Sequence, residues 1–339
     1  MKRLILSLIV AAGLVSCKKE INKVPDNYGI ETEEGPTGDY VSDVSFKNIG
    51  YCYANTDPAT VDSVKFSMLT HVHFAFLYPK TDGSLTALTN VSRFVGLKNL
   101  AKERGAKVAI SLGGDAAIYR TLAADATIRK VFVENVVQFV RTYKLDGVDL
   151  DWEYPSAAEG SDVTNTYLVK ELATKLHALH KYLSIAVTAG LYAGPIKEGI
   201  TEEVIDQVDF VNLMAYDARG LDPASLNHHS TYTIALKVLD AWQNDKGLPK
   251  EKSVLGIPLY GKDVNNNAIN FGTLLSNGAN PDEDSYTLAN VIYYYNGLNT
   301  LKQKVGLAKE RANGLMYWEI NQDASGNDSL IKAASLFIE

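Results

Sequence analysis

Residues 145–155 read LDGVDLDWEYP and set three acidic residues at every second position, Asp149, Asp151 and Glu153. Val148, Leu150 and Trp152 lie between them. Successive side chains of a β-strand point to opposite faces, so as a strand this segment has one acidic face and one apolar face. Two settings accommodate such a strand. In an antiparallel sheet the acidic face is simply hydrated. In an enclosed site the carboxylates are held together and their mutual repulsion has chemical consequences.

The rest of the chain decides between them. Short β-type runs recur at 48–54 (NIGYCYA), 71–78 (HVHFAFLY), 107–114 (KVAISLGG), 147–154 (GVDLDWEY), 183–190 (LSIAVTAG), 208–217 (VDFVNLMAYD), 253–261 (SVLGIPLYG) and 314–320 (GLMYWEI). Helical spacing lies between them. IRKVFVENVVQFVRTYK places Val131, Phe132, Asn135, Val136, Phe139 and Val140 on one stripe, and NTYLVKELATKLHALHKYL does so with Leu168, Leu172, Leu176 and Leu179. Eight strands alternating with helices over about 300 residues predict an α/β fold, a (β/α)8 TIM barrel. An open doubly wound sheet calls for a Gly-rich phosphate loop after the first strand, which CYANTDPATV lacks. A parallel barrel covers both faces of every strand, with helices outside and packed side chains inside. The apolar set suits the helix side. Asp149, Asp151 and Glu153 therefore point inward and rise toward the C-terminal mouth, where barrel sites are built, with Glu153 uppermost.

The chain has 339 residues, 46% hydrophobic and 22% charged, with formal net charge −7. That balance argues against nucleic acid and anionic membrane surfaces as partners. The first residues, MKRLILSLIVAAGLVSC, have a basic start, an apolar run and a small-residue end, the pattern of an export signal. LVSC resembles the bacterial lipobox, so Cys17 is the expected lipidation site. The expected organisation is a lipoprotein signal peptide over 1–17, a flexible tether over 18–45 and a catalytic barrel over 46–339. The protein is expected to be exported, monomeric and lipid-anchored to a bacterial cell-envelope membrane, on the periplasmic side or at the cell surface. The chain has two cysteines. With Cys17 lipidated, Cys52 has no partner for an intramolecular disulfide and reads as a small buried apolar residue.

Carboxylates this close cannot all ionise cheaply, so at least one apparent pKa must rise. A carboxylic acid that keeps its proton near neutral pH is a general acid, suited to bonds whose leaving oxygen needs a proton, such as glycosides. A divalent metal held by the acidic cluster is the competing chemistry. Against it, the other strand ends offer aromatic residues, Tyr51, Phe76, Tyr216 and Trp318, whose faces stack on pyranose rings. His228 and His229 match no metal-ligand spacing.

On these residues the chain resembles glycoside hydrolase family 18, the chitinase family. Asp146–Glu153 matches the DxxDxDxE motif in full. Ser111–Gly114 resembles SxGG, Met214–Asp217 resembles MxYD, and GIPLYG and YWEINQD fit the seventh and eighth strands. The resemblance implies a retaining, substrate-assisted mechanism needing neither cofactor nor metal. Glu153 would protonate the glycosidic oxygen, and the 2-acetamido oxygen of the sugar would attack. Asp151 would hold the acetamido N–H and share its proton with Asp149 or Glu153. Tyr216 would bond the acetamido oxygen and Trp318 would form the floor. Asp217, Met214, Tyr51, Phe76 and Ser111 would line the same subsite. Asp146, of opposite strand parity, reads as structural.

Two positions depart from the family pattern: Asp115 stands where a Trp often follows SxGG, and Lys262 where an Arg commonly follows YG. About fifty residues separate Tyr260 from Gly314. That is too few for the α+β domain of many processive chitinases, and SYTLANVIYYYNGLNTLKQKVGLAKERA reads as a helix. An open groove and endo action on chitin or chito-oligosaccharides are expected. The alternatives are an endo-β-N-acetylglucosaminidase acting on the chitobiose core of N-glycans and a non-catalytic chitin-binding protein. In each case the partner is an N-acetylglucosamine-containing saccharide.

Overall fold

A computed structural model describes residues 36–339. Eight parallel strands close a barrel: β1 (Lys47–Tyr53), β2 (His71–Leu77), β3 (Lys107–Leu112), β4 (Gly147–Leu150), β5 (Tyr182–Val187), β6 (Phe210–Leu213), β7 (Ser253–Pro258) and, after the excursion described below, β12 (Gly314–Trp318). Around the barrel the order is β1-β12-β7-β6-β5-β4-β3-β2, so β5 lies diametrically opposite β1. The helices are α1 (Val91–Glu103), α2 (Ala116–Ala124), α3 (Ala126–Tyr143), α4 (Ser161–His177), α5 (Pro195–Glu198), α6 (Glu202–Gln207), α7 (Tyr232–Lys246), α8 (Phe271–Ser276), α9 (Leu298–Arg311) and α10 (Leu330–Ile338).

Strand alternation sorts the core into two layers. Val148, Leu150 and Trp152 join the apolar shell between strands and helices, whereas Ile49, Tyr51, Ala109, Tyr182, Phe210 and Met316 pack inside the barrel. On α3, Phe132, Val133, Val136, Phe139 and Val140 are buried as a helical stripe, but Val131 is exposed. Each helical residue turns about 100° from the last, so Val131, beside Phe132, falls off the buried face. Asn135 stays on that face by donating to the Gly83 carbonyl at 2.9 Å. Asp125 caps the start of α3 by accepting from the Thr127 and Ile128 amides.

The span between Tyr260 and Gly314 holds no separate domain but folds differently from the single helix expected. Its strands β8 (Tyr260–Lys262), β9 (Ala268–Asn270), β10 (Ser285–Leu288) and β11 (Val291–Tyr294) form an antiparallel sheet in the order β10-β11-β8-β9. Only Leu298–Arg311 of the expected helix is helical. The first part is a hairpin, because its Tyr, Thr, Val and Ile residues favour a pleated surface. Ala289 and Asn290, both at positive φ (49° and 65°), make a two-residue turn matched to strand twist. Ala at such a turn position is unusual, which hid the hairpin.

The leader and Cys17 lie outside the described residues, as does most of the expected tether. The described end of the 18–45 span is fastened to the base of the barrel. The Tyr40 ring stacks on His177 at 4.3 Å. Its hydroxyl donates to Asp209 at 2.7 Å, Ser42 donates to the same carboxylate, and Lys107 pairs with Asp43 at 2.6 Å. From Tyr40 onward this segment belongs to the barrel.

Candidate active site

The carboxylates of the β4 segment occupy three levels. Asp149 lies at the bottom, fully buried. In the strand register it faces Ser111 on one side and Ser184 on the other. Its Oδ2 accepts from the Tyr51 hydroxyl at 2.7 Å and from Ser111 Oγ at 2.8 Å. Its Oδ1 accepts from Ser184 Oγ at 2.7 Å and from Asn212 Nδ2 at 3.1 Å. His73 Nδ1 lies 3.6 Å away. Burial pushes the carboxyl pKa up, but the nearby His73 ring and the hydrogen bonds from Ser184 and Tyr51 outweigh it, so Asp149 titrates below the ordinary range and is ionised.

Asp151 is one level higher. Regular pairing of β4 ends at Leu150, but the Asp151 amide still donates to the Leu112 carbonyl at 2.9 Å. Its side chain is buried, and Oδ1 has no hydrogen-bond partner. Burial, then the negative charges of Glu153 and Asp149, raise its pKa well above the usual carboxylate value. Asp151 therefore holds its proton to higher pH than a free carboxyl does. Glu153 stands at the top, exposed to the cavity and bridged through its backbone to Asp115. Trp152 turns away and stacks on Tyr119 at 5.3 Å on the helix side.

One cavity of about 410 Å³ at the C-terminal mouth is lined by Glu153, Asp151, Tyr216, Asp217, Met214, Tyr51, Phe76 and Trp318. Trp318, at the end of β12, lies 5.4 Å from the Tyr51 ring and 5.6 Å from that of Phe76. The Tyr216 hydroxyl has one weak partner, Met316 Sδ at 3.7 Å. Burial and the charges of Asp151 and Asp217 push its phenol well up, so it stays a neutral donor. Asp217, in the left-handed region at φ 58°, accepts from the Tyr260 hydroxyl at 2.8 Å and pairs with Lys262 at 2.7 Å. Burial raises its pKa, but His229, Lys262 and Tyr260 hold it down to about 2.

Ser111 does not line the cavity. It is fully buried and its hydroxyl is committed to Asp149, so it supports the lowest carboxylate instead of facing a ligand. Strand parity distinguishes inward from outward but not height within the barrel. Asp146 accepts from the Val108 amide at 2.7 Å and pairs with Lys102 at 3.3 Å. The two departures also have structural places: Asp115 caps α2 through the Ala117 amide at 2.7 Å, and Lys262 neutralises Asp217. Ser184, Asn212 and His73 were missed, and the available signal was a lone polar residue inside an apolar strand run. Tyr154, Tyr192 and Arg219 also line the cavity, from irregular segments where no periodicity points to them.

A closed parallel barrel that lifts a graded set of carboxylates into an aromatic mouth defines the glycosidase class of this fold. The model of the family "Glycosyl hydrolases family 18" matches residues 47–323, and the chain belongs to that family. A probable endochitinase of Caenorhabditis elegans is 30% identical over 272 residues, covering 70% of this chain and 44% of that protein. The chain spans about half the length of curated relatives such as this one. Among solved structures, a family 18 chitinase from the chitin utilization locus of Flavobacterium johnsoniae superposes with a TM-score of 0.75 at 27% identity, over 87% of this chain and 94% of that one. A chitinase from Bacteroides thetaiotaomicron gives 0.75 at 25% identity, over 87% and 97%.

Proposed function

We propose that the protein is a retaining, endo-acting chitinase that cleaves β-1,4 bonds next to N-acetylglucosamine. The observation that carries this reading is Asp151. A second carboxylate beside the general acid acts as the nucleophile in the ordinary retaining scheme and must be ionised to attack. Asp151 is buried and its carboxyl holds a proton well above the usual carboxylate range, so it is a poor nucleophile. Its unpartnered Oδ1 suits a substrate N–H. An acetamido sugar supplies both that N–H and a carbonyl oxygen able to attack in the carboxylate's place.

In this mechanism Glu153 gives its proton to the glycosidic oxygen as the C1–O bond breaks. The acetamido oxygen closes on C1, forming an oxazolinium ion. Asp151 takes the acetamido N–H, and the Tyr216 hydroxyl donates to the attacking oxygen. Trp318 supports the distorted ring from below. Glu153 then removes a proton from water, which attacks C1, reopens the ring and restores the starting configuration.

The endo assignment rests on the rim. Tyr53, at the end of β1, and Tyr78, just after β2, are 41% and 44% exposed, and Tyr192, after β5 on the opposite side, is 70% exposed. Aromatic faces on both sides of the acid suit a saccharide crossing the mouth. Incubation with chitopentaose and, separately, with a high-mannose glycoprotein tests the reading. Release of chitobiose and chitotriose supports it; glycan release alone would transfer the same residues to the chitobiose core of N-glycans. Retained saccharide binding without cleavage of either would make the barrel a binding protein.

From the sequence alone, the leader supports export and lipidation at Cys17 on a bacterial cell-envelope membrane. Cys17→Ala should then move the protein from the membrane to the soluble fraction; unchanged fractionation argues against the anchor.

A further inference from the structure

The site above leaves unexplained a fully buried lysine on the outer helix α9 and the consecutive His228, His229 and Ser230 that face it. Lys304 is 0% exposed, as is Ser230. Its ammonium donates to the Ser230 carbonyl at 2.8 Å, to Ser230 Oγ at 2.7 Å and to Asn296 Oδ1 at 2.7 Å. All three acceptors are neutral oxygens. Because Ser230 Oγ accepts from Lys304, its own proton is directed to the Ala215 carbonyl, 2.7 Å away. Asn296 Nδ2 donates to the Ser230 carbonyl at 2.6 Å.

This network holds the segment that carries Tyr216 and Asp217. Strand pairing of β6 ends at Leu213, so residues 215–218 have no neighbouring strand to fix them. The 229–230 segment takes that place. The Ala218 amide donates to the His229 carbonyl at 3.0 Å, the Asp217 amide points at His229 Nδ1 at 3.4 Å, and Ser230 holds Ala215. His228 locks the segment from beneath. Its Nδ1 accepts from the Ser230 amide at 3.0 Å, which leaves Nε2–H to donate to the Tyr295 carbonyl at 2.9 Å.

We propose that Lys304 is a positioning residue: through Ser230 it fixes the Ala215–Ala218 corner and so aims the Tyr216 hydroxyl and the Asp217 carboxylate at the substrate. An apolar side chain in place of Lys304 removes a buried charge but takes a donor from Ser230 Oγ and Asn296 Oδ1, so some loss of stability accompanies either role, and a purely structural role confines the effect to stability. A merely structural role and a positioning role therefore make different predictions. The kinetic arm rests on the proposed glycosidase reading.

The test compares Lys304→Met, Ser230→Ala and the double variant of the full chain. The readouts are kcat and KM on chitopentaose, the melting temperature, and hydrogen exchange of the 215–218 amides. Lys304→Met is expected to lower kcat roughly ten- to a hundred-fold at temperatures where the variant is fully folded, as small misplacements of reacting groups do, while KM moves far less. Ser230→Ala should shift the same quantities less. The double variant should be no worse than Lys304→Met, since both cut one chain of contacts. Faster exchange at 215–218 should accompany the loss. Unchanged kcat and unchanged exchange in Lys304→Met overturn the proposal, as does a kcat loss fully accounted for by a lowered melting temperature. If Lys304→Met does not fold, Ser230→Ala decides by the same criteria. If the wild type cleaves no acetamido sugar, the functional reading fails and the exchange measurement alone decides this one.

Discussion

Replacing Asp149 with Asn keeps the side chain's volume and removes its charge, and the structure allows the consequence to be worked out. Four donors converge on the carboxylate: Tyr51, Ser111, Ser184 and Asn212. Whichever way the new amide turns, its NH2 group displaces the acceptor of two of them. The remaining two keep a neutral acceptor in place of a charged one. A hydrogen bond to a charged group is worth about 1.5–3 kcal/mol and a neutral one about 0.5–1.5, while an orphaned buried donor costs about 1–3. At the lower ends of these ranges, two weakened bonds and two orphaned donors at about 1 kcal/mol each predict a loss of at least about 4 kcal/mol. That is a large part of the ~5–15 kcal/mol by which domains are stable. Urea unfolding of both proteins at neutral pH reads it directly. The difference should close in acid: a carboxylate with a depressed folded pKa contributes stability above its unfolded value of about 3.9 and loses it as pH falls through the folded one. A loss below about 1 kcal/mol would refute the claim that these bonds hold an ionised group.

Asp151→Asn should lower kcat on the order of a hundred-fold, because an amide cannot share a proton with Glu153 or Asp149; steady-state kinetics on chito-oligosaccharides checks it. Trp318→Ala removes the floor and its contacts with Tyr51 and Phe76, so kcat/KM should fall about a hundred-fold, the equivalent of roughly 2–3 kcal/mol of aromatic contact. Burial pushes Lys304 from 10.5 down to about 7, with Asp284 the charge that opposes it. The unfolded chain then binds the extra proton between those values, so wild-type stability should rise with pH across that window. Lys304→Met should lose that part of the rise, as melting temperatures measured from pH 7 to 10 would reveal.

The parts of this account legible in the sequence are those enforced by period. Alternation in GVDLDWEY sends Asp149, Asp151 and Glu153 to one side of a strand, and eight such runs leave only the barrel interior for them. Period says nothing of depth, and Ser111, which the family resemblance puts in the subsite, lies level with Asp149 and hydrogen-bonds to it below the cavity. Ser184 and Asn212 become partners of Asp149 only through the pairing of β4, β5 and β6, a relation between segments that no single run contains. The hairpin of residues 285–294 was hidden by its Ala289–Asn290 turn, which lacks the usual glycine. Lys304 on α9 looks like any solvent-facing lysine of a charged helix. Its burial depends on how the excursion after β7 folds back over the 228–230 segment.

In the proposed reaction the substrate's own acetamido group takes the nucleophile's place above Asp151. Proton NMR of chitopentaose and of its de-N-acetylated counterpart, during the first minutes of incubation, tests it most directly, with Glu153→Gln as the control. β-Anomeric reducing ends should appear first from chitopentaose and equilibrate later to the α form, with no product from Glu153→Gln or from the de-N-acetylated oligomer; comparable cleavage of that oligomer would mean that the acetamido group is not the nucleophile. Initial α-anomers, or undiminished cleavage by Glu153→Gln, would contradict it.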